Sequence, residues 1–124
     1  MLNGYHSCTG IWRIWPDRDG YVDLSRDVQP LLYGRDPILI SHDEIAWWFM
    51  DEPERKKDKR YETCNIRIPG IVALDVINPY NKKYRMVDGS HRMAKMLFET
   101  KIRESLFYVI TKEELYERVR DYDR

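Results

Sequence analysis

One apolar segment, Gly70 to Ile77, constrains the fold of this chain more than any other. After the glycine it reads Ile-Val-Ala-Leu-Asp-Val-Ile, with little alternation between apolar and polar residues. Such a strand is typical of a sheet that is covered on both faces. Turn-forming residues follow at 78–82, and Lys83 to Val87 is predicted to return as a second strand. We therefore expect a covered sheet at the centre of the protein.

The rest of the second half predicts helix, strand and helix in turn. A helix is predicted to open at Asp88-Gly89-Ser90, and Leu106 to Ile110 form a third apolar strand. Thr111 and Glu114 then have the spacing of a capping box, in which each side chain bonds the other residue's backbone N–H. This box predicts a final helix in residues 112–124.

The first half is predicted to begin with a β-hairpin, formed by Ile11 to Trp15 and Tyr21 to Leu24, that extends the sheet. Residues 25–36 are ambiguous. Pro37 to Ile40 is a short apolar run, and Ser41 and Glu44 after it form a second capping-box pattern that predicts a helix from His42 to Asp51. Together these elements predict one α/β (mixed α+β) domain, with a hairpin extension in residues 1–36, a core in 37–111 and a C-terminal helix in 112–124.

Composition bounds the class of protein. The 124 residues suit a single domain. The longest apolar run, Ile45 to Met50, is far shorter than the ~20 residues that span a bilayer, so we expect no membrane segment. No secretion signal is recognisable. Cys8 and Cys64 lack metal-site spacing, and we expect a cytoplasmic protein with free thiols, although one disulfide is compatible with the sequence.

The net charge of zero removes the simplest argument for a nucleic-acid-binding protein, but the charge is uneven. Residues 54–60 carry five bases and two acids, and residues 82–103 carry seven bases and two acids. The run from Arg55 to Arg60 could cover a phosphate site or contact a nucleic-acid backbone, and a solvated segment is the favoured interpretation. Trp47-Trp48 and the 11–15 segment could stack on bases, and a place in the core is favoured for them.

The main candidate for a functional site is the run Asp88-Gly89-Ser90-His91-Arg92, which resembles an anion-binding helix start. The first N–H groups of a helix lack intrahelical partners and attract phosphates. Gly89 would let the backbone approach a ligand, Ser90 could cap the helix, and His91 and Arg92 could bond phosphate oxygens. Asp88 could hold a divalent metal or orient a nucleophile. Ordinary turn-and-cap chemistry is the alternative explanation.

The sequence Val-Asp-Gly-Ser-His-Arg-Met-Ala, with the strands around it, resembles the ParB/sulfiredoxin superfamily over residues 37–111. That resemblance implies a nucleotide held at Gly89, Ser90, His91 and Arg92: CTP as in ParB proteins, or ATP or ADP as in sulfiredoxins and a free-serine kinase branch. The Asp-Gly-His-His-Arg motif of the kinase branch is the most similar to this run. By the same resemblance, Glu44 on the early helix could be a catalytic carboxylate.

Two departures from the motifs of this superfamily limit the activities that the resemblance implies. Ser90 stands where sulfiredoxins have their catalytic cysteine, so sulfinic acid reduction is not expected. The Gly-Glu-Arg-Arg turn of the chromosome-partitioning ParB proteins is absent too. We expect nucleotide binding with Mg²⁺, with phosphoryl transfer or hydrolysis as the reaction if the protein is an enzyme; Asp88, Glu44 and His91 are then the catalytic candidates. The alternatives are a nucleic-acid-binding or nuclease-like ParB module, with DNA as a partner, and a protein-interaction domain that has lost its ligand.

Overall fold

The computed structural model describes residues 10–14 and 20–121. Its strands are β1 (Ile11–Ile14), β2 (Gly20–Asp23), β3 (Ile38–Ser41), β4 (Ile45–Ala46), β5 (Gly70–Leu74), β6 (Tyr84–Asp88) and β7 (Glu104–Thr111). Its α-helices are α1 (Glu52–Lys56), α2 (Lys59–Thr63), α3 (Ser90–Glu99) and α4 (Lys112–Tyr116). The predicted class, a small mixed α/β domain, is confirmed.

A five-stranded sheet in the order β3-β7-β5-β6-β4 forms the centre. Strand β5 is antiparallel to β6 and parallel to β7, and its first four residues are buried. The long apolar run thus occupies the middle of the sheet, as predicted. The strand is shorter than the run because Asp75 has a φ of +64°, which breaks the extended backbone.

The N-terminal hairpin forms as predicted, but it does not extend the main sheet. Strands β1 and β2 pair antiparallel, Ile11 opposite Asp23, in a two-stranded sheet of their own. Trp15 and residues 16–19 of the turn predicted at 16–20 lie outside the described residues. On its other edge β2 meets the C-terminal segment, because Tyr21 and Arg120 exchange two backbone hydrogen bonds of 3.0 and 2.8 Å.

The ambiguous segment after β2 is helical but irregular. A π-helical turn spans Leu24–Val28 and a 3₁₀ turn spans Gln29–Leu32. Their apolar side chains enter the core beside β7 and α4, in a cluster of buried residues: Val22, Leu24, Val28, Leu32, Tyr108, Ile110 and Leu115. Pro30 sits in the first turn of the 3₁₀ segment, where its missing N–H costs nothing.

The predicted helix from His42 to Asp51 is wrong. Ser41 Oγ accepts a hydrogen bond from the N–H of Asp43, and only a single 3₁₀ turn follows, at His42–Glu44. The chain then enters β4, which pairs in parallel with β6, with Ile45 opposite Tyr84. Sheet pairing buries Ile45 and Ala46, and this tertiary gain overrides the local capping signal.

The second predicted capping box is confirmed. Thr111 Oγ1 accepts from the N–H of Glu114 at 3.1 Å, and the Glu114 carboxylate accepts from the N–H of Thr111 at 2.9 Å. The helix it opens, α4, ends at Tyr116 instead of running on, and the chain turns to meet β2 at Arg120. None of the helices among the described residues combines the length and apolarity needed to cross a membrane.

Glu114 gives the fold a pH-dependent contribution. Arg35 donates to both carboxylate oxygens of Glu114 and to the carbonyl of Val109. These bonds, Arg35 first, lower the pKa of Glu114 to about 2. A carboxyl group whose pKa falls on folding stabilises the protein above its unfolded pKa, and that stability disappears as the pH falls towards the folded value.

We therefore expect Glu114→Gln to lower the free energy of unfolding by roughly 2 kcal/mol at pH 7. The difference from the wild type should shrink as the pH falls from about 4.5 towards 2. Urea unfolding at pH 7, 4 and 3 measures it. Glu113→Gln, on the exposed side of the same turn, is the control. A difference that stays constant over this range would contradict the assignment.

Candidate functional site

The turn between β6 and α3 has the strand-glycine-helix geometry that the sequence predicts. Asp88 ends the strand, Gly89 adopts a φ of +129°, and α3 begins at Ser90. Gly89 is the N-cap and no side chain caps the helix, so Ser90 is not the cap that was expected. The first N–H groups of this ten-residue helix therefore have no side-chain cap, as an anion-binding helix start requires.

Gly89 also has a packing role. A Cβ at this position would lie 3.3 Å from the Cα of Gly70 and 3.4 Å from the sulfur of Met86. The two glycines bring β5 and the β6–α3 turn into close contact. The turn thus needs glycine for both its backbone angle and its neighbours, whatever it binds.

A groove of about 790 Å³ opens beside this turn, and we call it the α3 groove. One wall is the turn itself, and the other is the basic segment of α1 and the start of α2. Its polar lining residues are Glu54, Arg55, Lys57, Asp58, Arg60, Asp88, Ser90 and His91. The sequence analysis favoured a solvated segment for Arg55 to Arg60. Residues 56–60 are exposed, as that interpretation expects, but Arg55 is buried, and the segment lies opposite the start of α3.

Carboxylates already contact both side chains that were expected to bind phosphate. His91 Nε2 lies 2.9 Å from Asp58 Oδ2, and Arg92 Nη2 donates to Asp88 Oδ2 at 3.3 Å. Burial raises the pKa of Asp88, while Arg92 opposes that rise. The pKa of Asp58 is lowered, first by the N–H of Arg60 and then by His91. The carboxylates of Asp58 and Asp88 that line the groove are therefore already engaged, and Arg92, which holds Asp88, does not itself line the groove.

Arg55 is the site residue that the sequence analysis underestimated. Its side chain is only 3% exposed, and its guanidinium donates from Nη2 to the carbonyl of Trp48. In the part of the chain that the structure describes, Arg55 forms no ion pair, and its buried Nε has no hydrogen-bond partner. Burial lowers the pKa of Arg55, and attraction to Asp58 opposes this only in part. A buried cation without a counter-ion is costly.

The structure does not bring Glu44 to this site. Glu44 directly precedes β4, whose residue Ile45 pairs with Tyr84 at the start of β6. Asp88 is at the other end of β6, four residues on, or about 13 Å at the usual rise of a strand. Of the three catalytic candidates, Asp88 and His91 share the α3 groove and Glu44 lies towards the opposite end of the sheet.

A second cavity adjoins the α3 groove. This aromatic pocket, of about 380 Å³, is lined by Trp12, Ala46, Trp47, Trp48, Asn78, Pro79, Tyr80, Arg85, Met86, Val87 and Ser90. Trp48 is 71% exposed, so the core position expected for it is wrong, while Trp47 is half-buried. Trp48, Val87 and Ser90 line both cavities, which therefore share a border.

Comparisons with known proteins give no relative. The chain matches no family model, and neither the curated proteins nor the solved structures contain a significant match. The resemblance to the ParB/sulfiredoxin superfamily remains a prediction from the residues around Asp88–Arg92.

The side chains of the α3 groove decide whether the expected Mg²⁺ could bind there. No group of three or more His, Cys, Asp and Glu residues within ranges 10–14 and 20–121 is arranged to hold a metal ion. Mg²⁺ that arrives with a nucleotide needs fewer protein ligands, because phosphate oxygens and water supply most of its ligands and the protein adds only one or two carboxylates. Asp88 and Asp58, which line the same groove, suit that smaller role.

Proposed function

We propose that this protein binds a nucleoside di- or triphosphate, with its phosphates in the α3 groove. The observation that carries the proposal is Arg55, a buried guanidinium in the wall that faces the start of α3, for which residues 10–14 and 20–121 supply no ion-pair partner. An anion in the groove would offset the cost of this buried charge. It would also meet the N–H groups at the start of α3.

The contacts of His91 with Asp58 and of Arg92 with Asp88 would allow an exchange of partners when a ligand binds. When phosphate oxygens enter, His91 and Arg92 can turn from Asp58 and Asp88 to the ligand. The Asp58 carboxylate released in this way would then be available to a phosphate-bound Mg²⁺. The resting structure thus neutralises with its own carboxylates the charges that the ligand would neutralise later.

Any transfer of a phosphoryl group here would depend on Asp88. It is the expected catalytic carboxylate that lies beside the start of α3, and burial raises its pKa towards the range where a carboxylate can accept a proton. Backbone N–H groups of α3, His91 and Arg92 would stabilise the charge on the transferred group. Glu44 has no part in this arrangement.

Nucleic-acid binding is the weaker candidate for the same surface. A phosphodiester backbone favours an extended cationic surface. In this groove the acidic side chains of Glu54, Asp58 and Asp88 lie between the basic ones. A short phosphate chain carrying its own Mg²⁺ tolerates such carboxylates better.

The test is a thermal-shift series with ATP, ADP, CTP and GTP in the presence of Mg²⁺. At 100 times its Kd, a nucleotide should stabilise the wild type by ~2.7 kcal/mol. Arg55→Met should weaken binding at least tenfold, since it removes the buried charge. Lys56→Met is the matched control, because Lys56 is a neighbouring cation that points to Glu52 and does not line the groove.

Two results would overturn the proposal: no shift with any of the four nucleotides, or an equal shift in the wild type and Arg55→Met. Melting of each variant without ligand shows whether it folds. If Arg55→Met does not fold, His91→Ala, at a less buried position, provides a second variant. Salt-dependent retention of DNA without a nucleotide shift would favour the nucleic-acid alternative.

A further inference from the structure

We infer that the aromatic pocket is the base-binding half of the nucleotide site, where the ligand's base stacks on Trp48. This inference rests on the proposed function, because it places the base of the same ligand whose phosphates lie in the α3 groove. It adds which residues hold the base and what kind of base they prefer.

The first support is the shared border of the two cavities. Trp48 and Ser90 line both, with Ser90 also the first residue of α3. A ligand with phosphates at the start of α3 would therefore reach the aromatic pocket directly. The carbonyl of Trp48 accepts the hydrogen bond from Arg55. Trp48 therefore contacts the cation proposed to attract phosphate and also lines the aromatic pocket.

The second support is the chemistry of the lining. Four aromatic side chains surround the pocket: Trp12, Trp47, Trp48 and Tyr80. Trp48 is 71% and Tyr80 59% exposed, a large aromatic area that water covers in the free protein. Stacking of a base on such rings is favourable for any base, because every base has a π face. A flat heterocyclic ring therefore matches this surface better than an aliphatic group.

The third support is that one wall of the pocket is already ordered. The indole N–H of Trp12 donates to the carbonyl of Met86 at 3.0 Å. The guanidinium of Arg85 lies over the Trp12 ring, 4.6 Å from its centre, and donates to the carbonyl of Ile77 at 3.1 Å. Because these bonds fix Trp12 before a ligand arrives, less entropy is lost on binding.

The pocket also predicts the base preference. The Asn78 amide could have read a base edge, but its nitrogen donates to the carbonyls of Val76 and Lys82, and its oxygen accepts from the N–H groups of Tyr80 and Lys82. Its hydrogen-bonding capacity is used within its own turn. Recognition by stacking alone depends on ring area. We therefore expect purine nucleotides to bind more tightly than CTP, with little difference between ATP and GTP.

The experiment compares ATP with tripolyphosphate, both with Mg²⁺, by calorimetric titration of the full chain. The wild type should bind ATP at least tenfold more tightly than tripolyphosphate. Trp48→Ala should lose at least tenfold in ATP affinity and keep its affinity for tripolyphosphate, while Trp48→Phe should retain most ATP binding. Tyr33→Ala removes an equally exposed aromatic ring outside both cavities and should change neither affinity.

Equal binding of ATP and tripolyphosphate by the wild type would overturn the inference and leave the phosphate site intact. So would an unchanged ATP affinity in Trp48→Ala. If the wild type binds neither compound, the proposed function fails, and the base pocket fails with it. The phosphate-only probe thus separates failure of the base pocket from failure of the phosphate groove.

Discussion

Replacing Asp27 with alanine is expected to lower the free energy of unfolding by roughly 3 kcal/mol, because it breaks two charge-assisted hydrogen bonds between a buried carboxylate and the partly exposed Arg120. Asp27 is only 8% exposed and receives two hydrogen bonds from Arg120, of 2.8 and 2.7 Å. It also accepts from the N–H of Asp23 at 2.9 Å. The variant leaves that N–H without its acceptor and releases the C-terminal segment from the π-helical turn.

Urea unfolding of Asp27→Ala beside Asp23→Ala checks this expectation. Asp23 caps the same turn from a more exposed position, and its loss should lower the free energy of unfolding by much less. Arg120 lowers the pKa of Asp27, so its stabilisation should be present at neutral pH and be lost in acid. Equal losses in the two variants would show that the ion pair adds nothing to the cap.

Gly89→Ala is the second substitution with a large expected effect, a loss of roughly 2–3 kcal/mol in the free energy of unfolding. An L-residue rarely adopts a φ of +129°, and the new Cβ would also press on Gly70 at 3.3 Å. Nucleotide affinity should fall together with stability, because both depend on the turn that starts α3.

Gly34→Ala serves as a reference in which only the backbone angle is unfavourable. Gly34 also has a positive φ, of +76°, but a Cβ there would meet nothing within 4 Å. It should therefore show the backbone cost alone, about 1 kcal/mol. Chemical denaturation of both variants measures the difference. A Gly89→Ala loss no larger than the Gly34→Ala loss would refute the packing role of Gly89.

Segments whose local pattern agrees with their surroundings could be predicted from the sequence. The run that contains β5 is apolar enough to demand burial on both faces, and it lies at the centre of the sheet. The Thr111 capping box forms because α4 has room to continue from β7 and places Leu115 in the core.

The same motif failed at Ser41 for a physical reason. A helix there would have removed Ile45 and Ala46 from their pairing with β6, and with it the burial of both side chains. The sequence cannot show this, because β6 lies about forty residues further on. The helix forms instead from Glu52, with Pro53 in its first turn, where the missing N–H of proline is tolerated.

The candidate site divides in the same way. The turn from Asp88 to Arg92 is local, and its strand-glycine-helix geometry was predictable. The position of Arg55 was not, because its burial depends on the carbonyl of Trp48 and on the packing of α1 beside α3. A basic residue in the run Glu-Arg-Lys-Lys resembles its solvated neighbours, and nothing local marks it as different.

The contact between Tyr21 and Arg120 has a consequence for synthesis of the chain. It joins residues 99 positions apart, and the neighbouring core packs the segment after β2 against β7 and α4. A ribosome makes the N-terminal part first, so the apolar side chains of that part have no partner until the last strand emerges. Contacts this distant in sequence form slowly, since a long loop must close first. The early segments are therefore expected to stay exposed to chaperones and proteases until β7, α4 and Arg120 have been synthesised.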